Sequence, residues 1–152
     1  VNDIKGNYNK SSGLNRYGLL IGKTIVDFPT NSDGTLSCID EDINGAVLGL
    51  ISMNGEKCDL NILDVSRVTD MSKLFADHKK FNGNISNWNT SKVTNMSNMF
   101  AKSQFNKDIG QWNVSEVTNM RGMFKNSKFN GNISNWNTSK VTNMSNIFAK
   151  SQ

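Results

Sequence analysis

The sequence has little of what catalytic, metal-binding or membrane-spanning chains use. Its 152 residues include one proline, one histidine and two cysteines, and only 36% of them are hydrophobic. The longest apolar candidate, residues 18–26, is interrupted by Gly22, Lys23 and Thr24, so it predicts no transmembrane helix. A low apolar share suits a repeat array, because each unit needs only one inward-facing row of apolar side chains.

Motifs for chemistry are equally scarce. His78 stands without a cysteine or a second histidine nearby, which favours a solvated loop residue over a metal ligand or a general base. No glycine-rich phosphate loop and no nucleophile motif occurs. The net charge of +4 comes with scattered lysines and no interleaved aromatic residues, which argues against nucleic-acid binding. We therefore predict no enzyme, and no catalytic residue, cofactor site or metal site.

A 24-residue repeat organises the chain from residue 56 onward. The segment FNGNISNWNTSKVTNMSNMFAKSQ, residues 81–104, returns as residues 129–152 with one substitution. A looser copy occupies residues 105–128, and a more diverged unit with one extra residue occupies residues 56–80. We number these four units one to four in chain order. A fixed period of this length predicts a solenoid or another stacked array.

Apolar residues recur at fixed places in every unit and predict its core. One column holds Trp88, Trp112 and Trp136, and other columns hold isoleucine, valine, methionine and phenylalanine. We interpret the tryptophans as core residues; the alternative is an exposed row on which sugar rings stack. Each unit also has a threonine directly before a stretch such as NMSNMFAKS, where it would serve as the N-cap of a short helix. These threonines are Thr69, Thr94, Thr118 and Thr142.

Segments such as residues 85–90 predict one short strand in each unit. One strand and one short helix in about 24 residues is the usual content of a leucine-rich repeat. The predicted fold class is therefore α/β, a leucine-rich-repeat-like solenoid with a short parallel strand ladder and short helices. Its predicted parts are a lead-in at 1–36 with a β-hairpin at 17–28, a cap helix at 37–55, and the four-unit solenoid at 56–152.

The predicted cap helix has a charged start and one apolar face. Asp40, Glu41 and Asp42 crowd its first turn, where negative charge favours the helix dipole. The face is formed by residues at helical spacing. They are Ile43, Val47, Leu48 and Ile51.

Before the helix, residues 29–34 (PTNSDG) predict a loop. Aligning Gly34 with the glycine of an EF-hand loop puts proline at the first ligand position, so calcium binding there is not expected.

Cys38 and Cys58 are the only cysteines and allow two interpretations. In an exported protein they can form one disulfide that closes a loop of about 20 residues and stabilises the fold by roughly 3 kcal/mol. Alternatively, both are small buried thiols, which is common for cysteine.

The repeats resemble a known family. FNGNISNWNTSKVTNMSNMF, together with CDLNILDVSRVTDMSKLF at residues 58–75, is similar to the BspA-like surface-protein repeats, also described as the DUF285 or mycoplasma-type lipoprotein repeat. The resemblance covers roughly residues 40–152. It implies a leucine-rich-repeat-like bacterial surface or secreted protein, often lipid-anchored or wall-anchored, with adhesion to host components suggested for some members. It implies no enzyme and no catalytic or metal residues.

Polar positions beside the tryptophans are the candidate binding site, since the strand face of a solenoid is its usual binding surface. The candidate partner-binding residues are Ser86, Asn87, Asn89, Gln111, Asn113, Asn135 and Asn137. We expect a protein, host-matrix or cell-surface ligand, no nucleic acid, and a membrane only through an anchor outside this segment. A structural spacer or assembly module is the alternative, and a carbohydrate- or ice-binding array is less favoured. An open solenoid end also predicts end-to-end self-association at the fourth unit.

Overall fold

The computed structural model describes residues 7–9, 16–21 and 24–151, and their side chains from residue 28 onward. The first part is a three-stranded antiparallel sheet of β1 (Asn7–Asn9), β2 (Arg16–Ile21) and β3 (Thr24–Pro29). β2 and β3 pair from Arg16↔Pro29 to Ile21↔Thr24, where the sequence predicts a hairpin. The Gly22-Lys23 linker of that hairpin, and most of the irregular lead-in expected before it, lie outside the described residues.

The cap helix begins later than the sequence predicts. Leu36–Ser37 forms a short strand, β4, which pairs in parallel with β5 (Leu63–Asp64) of the first unit. Because β4 takes the backbone of Ser37, the helix α1 runs only from Asp40 to Asn54. Gly55 follows it at a φ of 91°, and its N–H donates to the carbonyl of Ile51.

The apolar face of α1 was predicted with one wrong member. Ile43, Val47 and Ile51 are buried as expected, and Ala46 and Leu50 join them. Leu48 is 46% exposed. It follows Ile43 by five residues, which places it about 140° round the helix axis and away from the first unit.

Inside the units the predicted short helices are wrong. Within residues 56–151, the described backbone consists of β5, isolated bridges and turns, with no helix. Positive φ angles at Asn98 (54°) and Lys102 (60°) interrupt the stretch where the helix of the second unit was expected. The predicted strand at residues 85–90 does not form: residues 86–87 make a turn, in which the N–H of Trp88 donates to the carbonyl of Ile85.

The backbone of each unit bonds to the neighbouring units as well as within its own turns. In the second unit alternate N–H groups donate to the third unit: Met96 to Asn119 (2.9 Å), Asn98 to Arg121 (2.8 Å) and Phe100 to Met123 (2.9 Å). The same bonds join the first unit to the second and the third to the fourth. A nine-residue helix has little stability on its own. Hydrogen bonds to the packed neighbouring unit instead give these backbone N–H groups their acceptors. We infer from these contacts that the units stack, and the leucine-rich-repeat-like solenoid remains our interpretation of the whole.

Aromatic rings stack along the same direction as the ladder. Phe75, Phe100, Phe124 and Phe148 form one stack, with successive ring centroids 5.4, 5.8 and 5.5 Å apart. Phe81, Phe105 and Phe129 form a second stack at 6.0 and 6.2 Å. These columns, with the buried methionines and valines, make the continuous core that the repeat pattern predicts.

The threonine column does not cap helices. The hydroxyl of Thr94 donates to the carbonyl of Thr69 at 3.3 Å, and that carbonyl also accepts the N–H groups of Thr94 (2.8 Å) and Asn95 (3.4 Å). The same three bonds recur from Thr118 and Thr142 to the threonine of the preceding unit. The threonines therefore join neighbouring units.

Asp40 closes the threonine column at its first unit. Its carboxylate accepts the N–H groups of Thr69 (2.7 Å) and Asp70 (3.2 Å) and the Thr69 hydroxyl (2.6 Å). These are the donors that, in later units, bond to a threonine carbonyl of the preceding unit. A side chain from the first turn of α1 thus replaces the backbone of a preceding unit, and this contact anchors the helix over the first repeat.

Candidate binding face

The tryptophans lie in the core, which confirms the sequence interpretation. Trp88 and Trp112 are buried and Trp136 is half-buried. Each indole N–H donates to a backbone carbonyl of the preceding unit, at 2.9 Å to Leu60, 3.0 Å to Ile85 and 3.0 Å to Ile109. Because Trp88 and Trp112 are only 4% and 3% exposed, and their rings stack on each other 6.1 Å apart, neither presents a free face to a sugar.

Three of the seven candidate binding residues have a structural role. The side-chain oxygens of Asn89, Asn113 and Asn137 accept the N–H of the serine two residues later, at 3.0–3.1 Å. These are Asx turns, in which a short polar side chain replaces a backbone turn acceptor. All three residues remain exposed, but their carbonyl oxygens are committed to the fold.

The other candidates divide into one half-buried residue and three exposed ones. Ser86 is half-buried, and its N–H donates to the Asn84 side chain at 3.0 Å. Asn87, Gln111 and Asn135 are exposed, and their side-chain amides form no hydrogen bond with any described residue. Each directly precedes a tryptophan of the stacked column, so they stand on successive units. We call these three residues the amide row.

A groove lies at the first-unit end of the amide row. It has a volume of about 440 Å³ and brings the loop before β4 together with the first two units. Asn87 and Asn89 line it beside two carboxylates, Asp33 and Asp64. We call it the acidic groove. Its lining is completed by Thr35, Asn61, Leu63, Val65 and Ser66.

Hydrogen bonds hold both carboxylates of the acidic groove in place. Asn31 donates from Nδ2 to Asp64 Oδ2 (2.8 Å) and to the Thr35 hydroxyl (2.9 Å), and Thr35 donates to Asp33 at 2.6 Å. The Thr35 hydroxyl bond lowers the pKa of Asp33. Burial would raise the pKa of Asp64, but hydrogen bonds from Ser66 and Asn31 outweigh it and lower the pKa. Both groups therefore carry negative charge at neutral pH.

Sequence reasoning missed this groove. The sequence predicts a loop at residues 29–34, but nothing in it places that loop beside the second unit. The placement depends on the parallel pairs Leu36↔Leu63 and Ser37↔Asp64. Strands of two residues carry no periodic signal, so only the folded chain reveals the groove.

Comparison with known proteins defines the family. The family model described as a Mycoplasma protein of unknown function, DUF285, matches residues 47–152. The chain belongs to the DUF285 family. The match confirms the resemblance drawn from the repeats. Comparison with curated proteins and with solved structures found no match.

The DUF285 chain has free thiols at both cysteines, so the disulfide alternative is not formed in the structure. Cys38 is buried and Cys58 is half-buried. Burial raises the pKa of Cys38 to about 12 and that of Cys58 to about 11. Since the thiolate is the reactive form, neither thiol is an activated nucleophile at neutral pH.

His78 lies in a different groove of this DUF285 chain, between the end of the first unit and α1. That groove has a volume of about 440 Å³, and Glu56, Asp77 and Lys79 line it with the histidine. Over the described residues, no group of three His, Cys, Asp or Glu side chains is arranged to hold a metal ion. No helix among the described residues is long and apolar enough to cross a membrane.

Proposed function

We propose that this DUF285 chain is a non-enzymatic bacterial surface or secreted protein that binds a protein ligand through the amide row and the acidic groove. The single observation that carries the proposal is that the amide row is free of hydrogen bonds while the polar groups around it are not. The amides of Asn87, Gln111 and Asn135 are exposed and unused, while most neighbouring polar groups are committed to turns and to the ladder. An exposed polar row without a structural task is a surface available for recognition.

The chemistry of the face favours an extended polypeptide as ligand. Side-chain amides both donate and accept, so the amide row can bond backbone N–H and C=O groups of a segment that runs across the units. The acidic groove adds two charged carboxylates at one end, which suits a lysine or arginine side chain. A host-matrix or cell-surface protein with a basic, extended segment fits both parts.

The test is a binding screen against an array of extracellular-matrix proteins and glycans, followed by a triple variant. Replacing Asn87, Gln111 and Asn135 with alanine removes the amide row and spares the Asx-turn asparagines, so the fold should be retained. We expect at least a tenfold loss of affinity for any protein ligand found. The matched control is a triple lysine variant on another edge, Lys102→Ala, Lys125→Ala and Lys128→Ala, which should bind as the parent does.

A different outcome would favour the second candidate, a spacer or assembly module. The observation behind that candidate is that most of the repeated residues serve packing: phenylalanine, tryptophan and methionine columns, and threonines that join units. If the amide-row variant binds as tightly as the parent, or if the screen yields no ligand while the folded state is intact, the spacer function is favoured.

A further inference from the structure

A third groove lies where the first three units begin. Its volume of about 500 Å³ is within the range of ~300–1,000 Å³ that is typical of small-ligand sites. No apolar side chain and no aromatic ring is among the described residues that line it. We call it the donor groove. Its side chains are those of Lys57, Asn82, Asn84, Ser86, Lys107 and Asp108.

A close approach of the first two units fixes the floor of the donor groove. Gly83 forms part of the lining, and a Cβ added there would overlap the carbonyl oxygen of Cys58. Beside it, the N–H of Asn82 donates to the carbonyl of Glu56 at 2.7 Å. The residue of the third unit equivalent to Gly83 is Lys107. The second unit therefore has no side chain at the place where the third unit has a lysine.

The fold uses the acceptors of the two groove asparagines and leaves their donors free. Asn82 Oδ1 accepts a backbone N–H of the third unit at 2.9 Å, and Asn84 Oδ1 accepts the N–H of Ser86 at 3.0 Å. Their Nδ2 groups make no hydrogen bond with any described residue, and the ammonium groups of Lys57 and Lys107 make none either. The groove thus offers a ligand four N–H donor groups, two of them cationic, which suits an anion.

One carboxylate in the donor groove restricts which anions fit. Asp108 Oδ1 accepts the N–H of Gly110 at 2.8 Å, while Oδ2 makes no hydrogen bond with any described residue. A free carboxylate oxygen repels a second anion but accepts a hydroxyl. The ligand must therefore combine negative groups with hydroxyls, as sugars with a carboxylate or a sulfate do. Single-stranded nucleic acid is less suited, because it binds by stacking bases on aromatic rings and the groove has none.

The donor groove lies along the turns that join successive units. These joining turns are residues 77–84, 102–108 and 125–128. The N–H of Gln104 donates to the carbonyl of Lys79 at 2.8 Å, and the equivalent bond between the second and third turns measures 3.0 Å. The joining turns therefore lie side by side along one edge of the molecule.

Positive charge is concentrated on the joining turns. They contain six lysines and two aspartates. The turns around the tryptophan column in the first three units, residues 61–70, 87–95 and 111–119, contain two basic and three acidic residues. The positive potential of the joining turns attracts an extended anionic chain to the edge on which the donor groove opens.

We propose that the donor groove binds an acidic polysaccharide. A sugar carboxylate or sulfate is held between Lys57 and Lys107 and accepts the two free asparagine amides, and sugar hydroxyls bond to Asp108 and Ser86. The rest of the polysaccharide follows the joining turns. This site shares no residue with the amide row or the acidic groove, so it does not depend on the function proposed above.

The test measures binding to the full chain by isothermal titration calorimetry at about 50 mM sodium chloride. The probes are heparin oligosaccharides, which carry sulfate and carboxylate, and oligogalacturonate, which carries carboxylate only. Dextran oligosaccharides, polyglutamate and a single-stranded oligonucleotide are the comparison ligands. We expect one or both acidic oligosaccharides to bind about tenfold more tightly than every comparison ligand, and more weakly at about 500 mM salt. The ratio between the two acidic probes shows whether sulfate or carboxylate is preferred.

Two variants remove the donors without removing structural hydrogen bonds. Lys57→Ala with Lys107→Ala should weaken binding of the acidic oligosaccharide by a factor of about ten or more. Asn84→Asp keeps an acceptor for the N–H of Ser86 but replaces the free donor with a negative charge, so it should weaken binding by a similar factor. Because all three positions are exposed in Lys57, Asn84 and Lys107, circular dichroism should match that of the parent.

The matched control, Arg67→Ala with Lys92→Ala, removes the same charge from exposed residues outside the joining turns. It should change the affinity less than about twofold. Asp108→Asn keeps an acceptor for the N–H of Gly110, and it should reduce the preference for the oligosaccharide over polyglutamate by about threefold or more. Absence of binding to both acidic oligosaccharides would overturn the proposal. So would equal affinity for polyglutamate or the oligonucleotide, an equal loss in the control and the double lysine variant, or an unchanged preference in Asp108→Asn.

Discussion

The second and fourth units are the same sequence in two environments. They share 23 of 24 residues. The second unit has neighbours on both sides, while the fourth has a described neighbour on one side only. In the second unit the tryptophan, methionine and phenylalanine columns are buried. In the fourth unit Phe129 is still buried, but Trp136 is half-buried and Met144 and Phe148 are exposed. The difference shows that an apolar side chain of a unit is fully buried only when a neighbouring unit packs against it, whatever the sequence of the unit itself.

The largest expected effect is the contrast between two tryptophans. Trp88→Ala should lower the free energy of unfolding by about 3–5 kcal/mol, because a fully packed ring is removed. Trp136→Ala, in the same local sequence, should lower it by only about 1–2 kcal/mol, since the ring is half-buried. Urea denaturation of both variants measures the difference. Equal losses would mean that the fourth unit is as well packed as the second.

The next contrast is between the first unit and the later ones, since Asp40 accepts from Thr69 the hydrogen bonds that, in later units, a threonine carbonyl of the preceding unit accepts. Asp40→Ala should reduce stability by about 1–2 kcal/mol, because three hydrogen bonds to a charged acceptor are lost. Glu41→Ala is the matched control: it also removes a first-turn charge, but no hydrogen bond to the first unit. If both variants are destabilised equally, Asp40 acts only through the helix dipole.

Acid should weaken the same contact. Burial would raise the pKa of Asp40, but the hydrogen bonds from Thr69 and Asp70 prevail and lower the pKa below its ordinary 3.8. A lowered pKa in the folded state contributes stability that is complete above the unfolded-chain value and is lost as pH falls through the folded-state pKa. The stability difference between the parent and Asp40→Asn should therefore be constant near neutral pH and shrink below about pH 4. A difference that persists unchanged at pH 2 would contradict this account.

Methionine oxidation distinguishes the two units without mutation. Met144 should be converted to its sulfoxide about tenfold faster than Met96 by dilute hydrogen peroxide, because oxidation follows exposure. Trypsin yields VTNMSNMFAK from the second unit and VTNMSNIFAK from the fourth, so mass spectrometry separates the two sites. Equal rates would mean that Met144 is as well shielded from the oxidant as Met96.

The smallest expected contrast is at the surface. Lys140 forms an ion pair with Glu116 at 2.8 Å, the only ion pair found within residues 28–151. Its equivalent in the second unit, Lys92, has none there. Because both partners are exposed, Lys140→Ala should lower stability by no more than about 0.5 kcal/mol, and 0.5 M salt should abolish the effect. Lys92→Ala should have no salt-dependent effect. A loss above 1 kcal/mol would mean that the pair is more than a surface contact.

Much of the core was predictable from the repeat pattern alone. A column that recurs as tryptophan, isoleucine, valine or phenylalanine at a 24-residue spacing must face inward if the units stack, and Trp88, Val93 and Phe100 do so. Asparagine and aspartate side chains commonly accept turn amides, although the sequence alone did not show which asparagines of each unit do so. Asn89, Asn95 and Asn113 do so in the structure.

The local backbone was predicted less well. Met96, Met99 and Phe100 share one face at helical spacing, and Thr94 precedes them in a good N-cap position. In the structure these residues nevertheless lie in turns, and their alternate backbone N–H groups donate to the next unit. A short stretch of sequence shows which side chains face the core, but it does not show which carbonyls accept the backbone N–H groups. A repeat whose N–H groups bond to the next unit therefore has the same apolar spacing as a short helix.

The candidate site was predicted in part. The sequence located the polar positions beside the tryptophans, but it did not separate Asn87 from Asn89, whose side-chain oxygen is committed to an Asx turn. The acidic groove was not foreseen, since it joins Asp33 to residues of two different units.

By itself, the sequence determined the period, the inward-facing columns and the family, because these depend on residue types at fixed spacing. Only the tertiary structure decided which amides bond across units, which copy of the repeat is buried, and that Asp40 closes the first unit. The physical reason is that a hydrogen-bond acceptor and a burying neighbour lie about 24 residues away along the chain, and stacking alone brings them into contact.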